Sequence, residues 1–229
     1  MGAALGWGAL AASSVLVGAL LGCLRSWPTR PLGALLGFGA GALLSAISFE
    51  LFDEGFQDGA VGVTAGLAVG AVTYVVLNRR VERRQQPGGS SLALGAFLDG
   101  VPEQLALGLS LVGGSHVSAG LLLAVFVSNV PEAIGSASES RDAGTPRGAI
   151  LRLWAGVFVV STLAAVVGYV VLDSAPDDVV AGIQGFAAGA LIVMLVDTMI
   201  PDANRRLGET TGLFTTLGFA VAALISFAG

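Results

Sequence analysis

The sequence of 229 residues contains no lysine, a single histidine (His116), a single cysteine (Cys23) and two tyrosines, and only 12% of its residues are charged. Each shortage excludes something. Without lysine there is no Gly-x-x-x-x-Gly-Lys loop to cradle a nucleoside triphosphate, which argues against an intrinsic ATP drive. One cysteine can make neither an intrachain disulfide nor a cysteine-rich metal site. Cys23, set in an apolar run, reads as a small buried hydrophobe. One histidine provides no metal-capturing tract, and at the edge of an apolar segment it is a poor basis for a Ser-His-Asp set. Soluble domains carry about 25% charged residues, so a soluble globule fits this chain badly. A formal net charge of -5 argues against nucleic acid as a partner.

What is present points to the lipid bilayer. Hydrophobic residues make up 54% of the chain, Gly contributes 34 residues, and mean hydropathy is +0.82. Helices that associate in a membrane pack through small residues. The expected fold is therefore all-α and polytopic. Eight apolar segments of about 20 residues are readable, at roughly 3–24, 32–52, 59–78, 91–112, 116–138, 150–172, 179–200 and 209–228. The first lacks the basic stretch of a signal peptide and reads as a span. The whole chain, 1–229, reads as one transmembrane domain. A polar, basic loop at 78–90 divides spans 1–3 from spans 4–8.

The arginines order these spans. Arg25, Arg30, Arg79, Arg80, Arg83, Arg84, Arg141, Arg147, Arg152, Arg205 and Arg206 all fall on one side of an eight-span scheme. The opposite connections hold Asp53, Glu54, Asp58, His116, Asp173, Asp177 and Asp178. The positive-inside rule then places the arginine side in the cytoplasm and both termini outside the cell membrane.

Five acidic residues fall inside or near the ends of these spans: Glu50, Asp99, Glu103, Glu132 and Asp197. A carboxylate at mid-membrane costs at least about 2.5–3.5 kcal/mol. No arginine lies at the depth of the central ones, so bound cations, protons or polar neighbours in a watery cavity must compensate them. Asp99 and Glu103 are four residues apart and share a helix face, as do Ser128 and Glu132. Asn129 and Glu132, three apart, suit the same face. Spans 4 and 5, joined by a short loop around 113–115, are expected to form an antiparallel hairpin that puts both sets at similar depth. Gly100-Val101-Pro102-Glu103 is echoed by Asn129-Val130-Pro131-Glu132. Each proline frees a carbonyl one turn earlier, at Leu98 and Val127. Proline-interrupted spans that echo each other point to a mid-membrane transport site. Oxygen donors without imidazole or thiolate favour hard divalent cations.

The other acids have more than one reading each. Glu50 is a protonated, interfacial or pathway residue. Asp53 and Glu54 are a solvated outer rim or a cation-concentrating funnel. Asp197 lines an inner exit or sits at the interface. Three other functions compete with metal transport. The same carboxylates could serve a proton- or sodium-coupled cation exchanger, or the chain could be a non-transporting structural protein. An intramembrane aspartic enzyme built on Asp99 and Asp197 lacks the flanking motifs that such a pair needs, so the chain reads as a non-enzyme.

With these residues in place, the sequence resembles the ZIP (Zrt/Irt-like protein) family of divalent-metal transporters. The resemblance rests on eight spans, the polar loop after span 3, Asp99-Gly-Val-Pro-Glu103, Ser128-Asn-Val-Pro-Glu132, and Leu195-Val-Asp197-Thr-Met-Ile-Pro-Asp202 of prokaryotic type. It implies movement of zinc, manganese, iron or similar ions toward the cytoplasm through a site between spans 4 and 5, with the metal as substrate and no organic cofactor. By position, Asp99, Glu103, Asn129 and Glu132 are the implied metal ligands, with Ser128, Gln104, Glu50 and Asp197 as pathway or secondary residues. Gly100 stands where the family has an asparagine ligand, Gln104 replaces a glycine, and span 6 has no acid between Leu153 and Leu172. Those departures imply a single-ion, oxygen-only site that favours manganese, iron or magnesium over zinc. Gly37, Gly39, Gly41, Gly185 and Gly189 are expected to allow sliding between helices or to serve a homodimer.

Overall fold

The computed structural model describes residues 1–83, 90–111, 118–172 and 175–228, with Glu82, 90–99, 171–172 and 228 described as backbone only. Among the described residues there is no strand. The helices are α1 (Gly2–Leu24), α2 (Thr29–Ala46), α3 (Asp53–Arg83), α4 (Ser90–Leu109), α5 (Ala119–Asp142), α6 (Arg147–Leu172), α7 (Asp177–Met194), α8 (Ile200–Leu207) and α9 (Thr211–Ala228). Among the described residues, two π-helical turns interrupt otherwise continuous helix. Ile47–Phe52 joins α2 to α3, and Leu195–Met199 joins α7 to α8.

Local chemistry sets the boundaries. Pro28 and Pro176 stand at the N-caps of α2 and α7, where a missing N–H costs nothing. Ser118 caps α5 by accepting the Leu121 N–H at 3.1 Å. Gly208, at φ 80°, ends α8 in a backbone conformation that side chains other than glycine's rarely adopt. Arg141 of α5 donates to the Gly22 carbonyl at 2.9 Å, satisfying an acceptor left open at the end of α1.

Glycine contacts give the helix directions. Along α1 and α5, Gly18 meets Val130 and Ala133 while Gly22 meets Ile134 and Ala137, so these helices run parallel. The same reading makes α2 parallel to α9 (Gly37 with Thr211, Gly41 with Thr215) and α3 parallel to α7 (Gly62 with Asp178, Gly70 with Phe186). It also makes α4 parallel to α6, with Gly100 near Ser161 and Gly108 near Ala165. Across pairs the sense reverses. Gly39 of α2 meets Ser128 whereas Gly135 of α5 lies near Leu32, so α2 and α5 are antiparallel. Gly55 meets Gln184 whereas Gly39 lies near Met199, so α2 and α7 are antiparallel as well. The chain therefore turns back within α3, at Gly59, where the backbone leaves the helical region (φ -178°, ψ 94°).

Two boundaries differ from the sequence reading. Asp53, Glu54 and Asp58 do not sit in a connecting loop; they continue the helix beyond the π turn, and the reversal is a single kink at Gly59. The stretch 78–90 is not a loop throughout, because α3 continues through Arg83 and α4 begins at Ser90, while 84–89 lie outside the described residues. Helical backbone satisfies its own N–H and C=O groups, so polar side chains can extend a helix past the apolar run that defines it in sequence. The connection around 113–115, His116 and Asp173 also lie outside the described residues.

Among the described residues, five stretches are long and apolar enough to cross a bilayer: Gly2–Leu24, Thr29–Val81, Ala119–Asp142, Arg147–Val170 and Asp177–Leu207. The second of these contains the Gly59 reversal. Leu5, Leu20, Val61, Val72, Leu213 and Leu224 point outward and are exposed. Exposed apolar surface on this scale suits lipid rather than water. The interior is lined by small side chains, including Ala11, Ala40, Ala124, Ala188 and Ala203. These are the features of a membrane-embedded helical protein.

Candidate metal centre

α4 and α5 carry Pro102 and Pro131 inside their helices without ending there. Pro131 has no N–H to offer the Val127 carbonyl, so one backbone acceptor is released beside Ser128. The side chains that follow from this region converge. Glu103 is 2% exposed, and its Oε2 accepts from Asn129 Nδ2 at 2.7 Å. Its Oε1 accepts from Ser128 Oγ at 3.5 Å, at the limit of a hydrogen bond. Ser128 also donates to the Val125 carbonyl at 3.0 Å and is itself buried. A charged acceptor strengthens such bonds, so the short Asn129 contact holds α4 to α5 at this level.

Three of the expected residues, Glu103, Ser128 and Asn129, are thus brought together. Glu132 lies on the next turn of α5 and is half-buried. The side chain of Asp99 lies outside the described residues. Gln104 is buried, with its Oε1 unpartnered among the described residues and placed on the side of Gly8, near Thr162 and Ala165. Among the described residues, no group of three or more His, Cys, Asp or Glu is gathered as a metal cluster. The oxygens assembled across α4 and α5 come from one carboxylate, one amide and one hydroxyl.

Glu50 occupies a separate position. It lies in the first π turn, is 8% exposed, and its Oε1 accepts from Ser226 Oγ of α9 at 2.5 Å while Oε2 has no partner among the described residues. Gly120 leaves room for it, since a Cβ there would come within 2.6 Å of Glu50 Oε1. Gly39, whose Cβ position is 2.7 Å from the Ser128 Cα, precedes Glu50 on α2 by about 16 Å of helix rise. The α2–α5 seam therefore has Glu50 at one end and the Ser128 group in its middle. Asp197 lies in the second π turn and is exposed, close in sequence to Met199, which packs beside Gly39. Its level is that of the Ser128 group, not the end of the helix. Apolar spans carry no pattern that marks a π turn, so hydropathy alone could not place either acid.

At the other end of the seam, charged side chains pair within and between helices. Arg206 of α8 pairs with Glu139 of α5 at 2.8 Å and with Asp202 at 2.9 Å. Arg205 also pairs with Asp202, at 3.2 Å. The guanidinium of Arg206 lies over Gly135, and its Cβ packs on Gly33 of α2. One acid, Asp202, placed three residues before Arg205 and four before Arg206, is visible in the sequence, but the pairing across 67 positions to Glu139 is not. No family model matches the chain, and no curated protein matches it.

Proposed function

We propose that this chain is a ZIP-like carrier that moves divalent metal cations toward the cytoplasm through an oxygen-lined site between α4 and α5. The observation that carries the reading is the buried Glu103 carboxylate held by Asn129 and Ser128 across two proline-containing helices. Eight spans with both termini outside the cell membrane complete the proposal. The alternating helix directions and the helix-end positions of Arg25, Arg30, Arg83, Arg141 and Arg147 support it.

The groups around Glu103 suit reversible loading. An asparagine amide can turn its Oδ1 toward a cation, and a serine hydroxyl can present a lone pair instead of its proton. Loading would replace two hydrogen bonds to Glu103 with cation–oxygen contacts, so the site need not hold an uncompensated buried carboxylate at any stage. Glu132, Asp99 and the released Val127 carbonyl are proposed to complete the shell. Asp53, Glu54 and Asp58 concentrate cations at the outer end, and Glu50 stands between them and the site.

The test is competitive uptake by the purified protein in liposomes. Oxygen-only ligands predict that manganese and iron outcompete zinc for a saturable pathway. Absence of saturable flux for any divalent ion, under both proton and potential gradients, would overturn the transport reading. Zinc dominance would leave transport standing and remove the oxygen-only site.

A further inference from the structure

We propose that Arg206 is a latch that closes the arginine-rich end of the α2–α5 seam, and that its release from Glu139 opens the site to the cytoplasm. The inference rests on the transport reading and adds the element that controls access from one side. Three helices meet at Arg206. Its own helix is α8, its Cβ would lie 2.7 Å from a Cβ on Gly33 of α2, and its Nη2 lies 3.2 Å from the Cβ position of Gly135 on α5. Glu139 then fixes the guanidinium to α5 at 2.8 Å, and Asp202 fixes it to α8 at 2.9 Å. The absence of a side chain at both Gly33 and Gly135 lets the arginine lie flat across the seam.

Position and strength both suit a latch. Glu139 lies about 10 Å of helix rise beyond Glu132 and about 16 Å beyond Ser128, toward the arginine-rich end. A cation leaving Glu103 along this seam toward the arginine-rich end passes the guanidinium, and the positive charge opposes its passage. Glu139 is 60% exposed, so its bond to Arg206 is a weak, solvent-screened pair that can break in each cycle. The Asp202 pair is a helical neighbour contact and can stay intact, keeping the arginine with α8 as α5 moves away.

The experiment reads accessibility, independent of flux. In full-length protein with Cys23→Ala, a Ser128→Cys reporter is treated with a membrane-impermeant maleimide from the arginine-rich side of oriented liposomes. We expect the reporter to be protected in this background and labelled at least about fivefold faster with Arg206→Ala, because removing the latch raises the open population. Arg206→Lys keeps the charge and should retain most of the protection. Glu139→Ala, which removes the α5 arm and leaves the Asp202 pair, should raise labelling even where Arg206→Ala does not yield folded protein. Equal labelling in the reporter background and Glu139→Ala would overturn the latch. Uptake is read separately in protein that keeps Ser128: a labelling difference with no uptake by that protein would overturn the transport reading alone, and intact uptake by it with equal labelling in the reporter proteins would overturn the latch alone.

Discussion

Glu103→Ala combined with Glu132→Ala is expected to lower saturable divalent-cation uptake about a hundredfold. Each tenfold step in affinity corresponds to about 1.4 kcal/mol, a modest figure for losing one anionic ligand in a buried site. Two such losses give the hundredfold figure if they act independently. Neighbouring ligands on one ion do not, and the coupling can move the result either way. Glu103→Gln isolates the charge from the shape, since a glutamine oxygen still accepts from Asn129 Nδ2 and the α4–α5 contact at 2.7 Å can persist. That substitution alone should lower uptake about tenfold. Glu54→Gln at the outer end should have a smaller effect, because an exposed carboxylate acts only through screened, long-range attraction. Equal losses for Glu103→Gln and Glu54→Gln would remove Glu103 from the centre of the pathway and reduce the proline–glutamate echo to a packing feature.

The second large effect concerns stability. Gly41→Ala and Gly66→Ala are each expected to destabilise the protein by about 1–3 kcal/mol, the usual cost of forcing a methyl group into a filled interface. A Cβ on Gly41 falls on the Thr215 carbonyl of α9, and one on Gly66 falls on the Gly182 carbonyl of α7. Neither neighbour is a flexible side chain, so relief requires two helix backbones to separate. Gly156→Ala is the matched control. It lies on the exposed side of α6 with nothing within 4 Å of its Cβ position. There the helix gains alanine's better propensity and stability should stay level or rise by about 0.5–1 kcal/mol. Melting temperatures in detergent would separate the three, since about 2–4 °C accompanies each kcal/mol in a chain of this size. If Gly66→Ala melted with Gly156→Ala, the close parallel packing of α3 on α7 would be wrong.

This packing also bears on what the glycines do. Gly37, Gly41, Gly185 and Gly189 all face backbone or side chains of this same chain, on α9 or α3, and Gly39 faces Ser128. Close backbone approach allows Cα–H to carbonyl contacts of about 0.5–1 kcal/mol each. Interfaces of this kind are filled from within the monomer. A second copy would have to use other surfaces, such as the open positions at Gly6, Gly148 and Gly212, where nothing lies within 4 Å.

Much of this protein was determined by its sequence alone. Bilayer solvent requires each apolar run to satisfy its backbone internally, so hydropathy is enough to make the chain helical and membrane-embedded. Carboxylates in such runs are costly, which singles out Glu50, Asp99, Glu103, Glu132 and Asp197 from the sequence alone. Helical periodicity placed Ser128 and Asn129 beside Glu132, but nothing in that periodicity says which of them reaches α4. Tertiary structure decided that Asn129 and Ser128 turn to Glu103, that Glu50 belongs with Ser226 across 176 positions, and that Arg206 reaches Glu139 across 67. It also decided that the acids at 53–58 extend a helix and that Glu50 and Asp197 sit in π turns. The physical reason is one of range. Solvent preference and helix period act within a few residues, whereas partner choice depends on which helices approach closely, and that is set by where glycine lets two backbones meet.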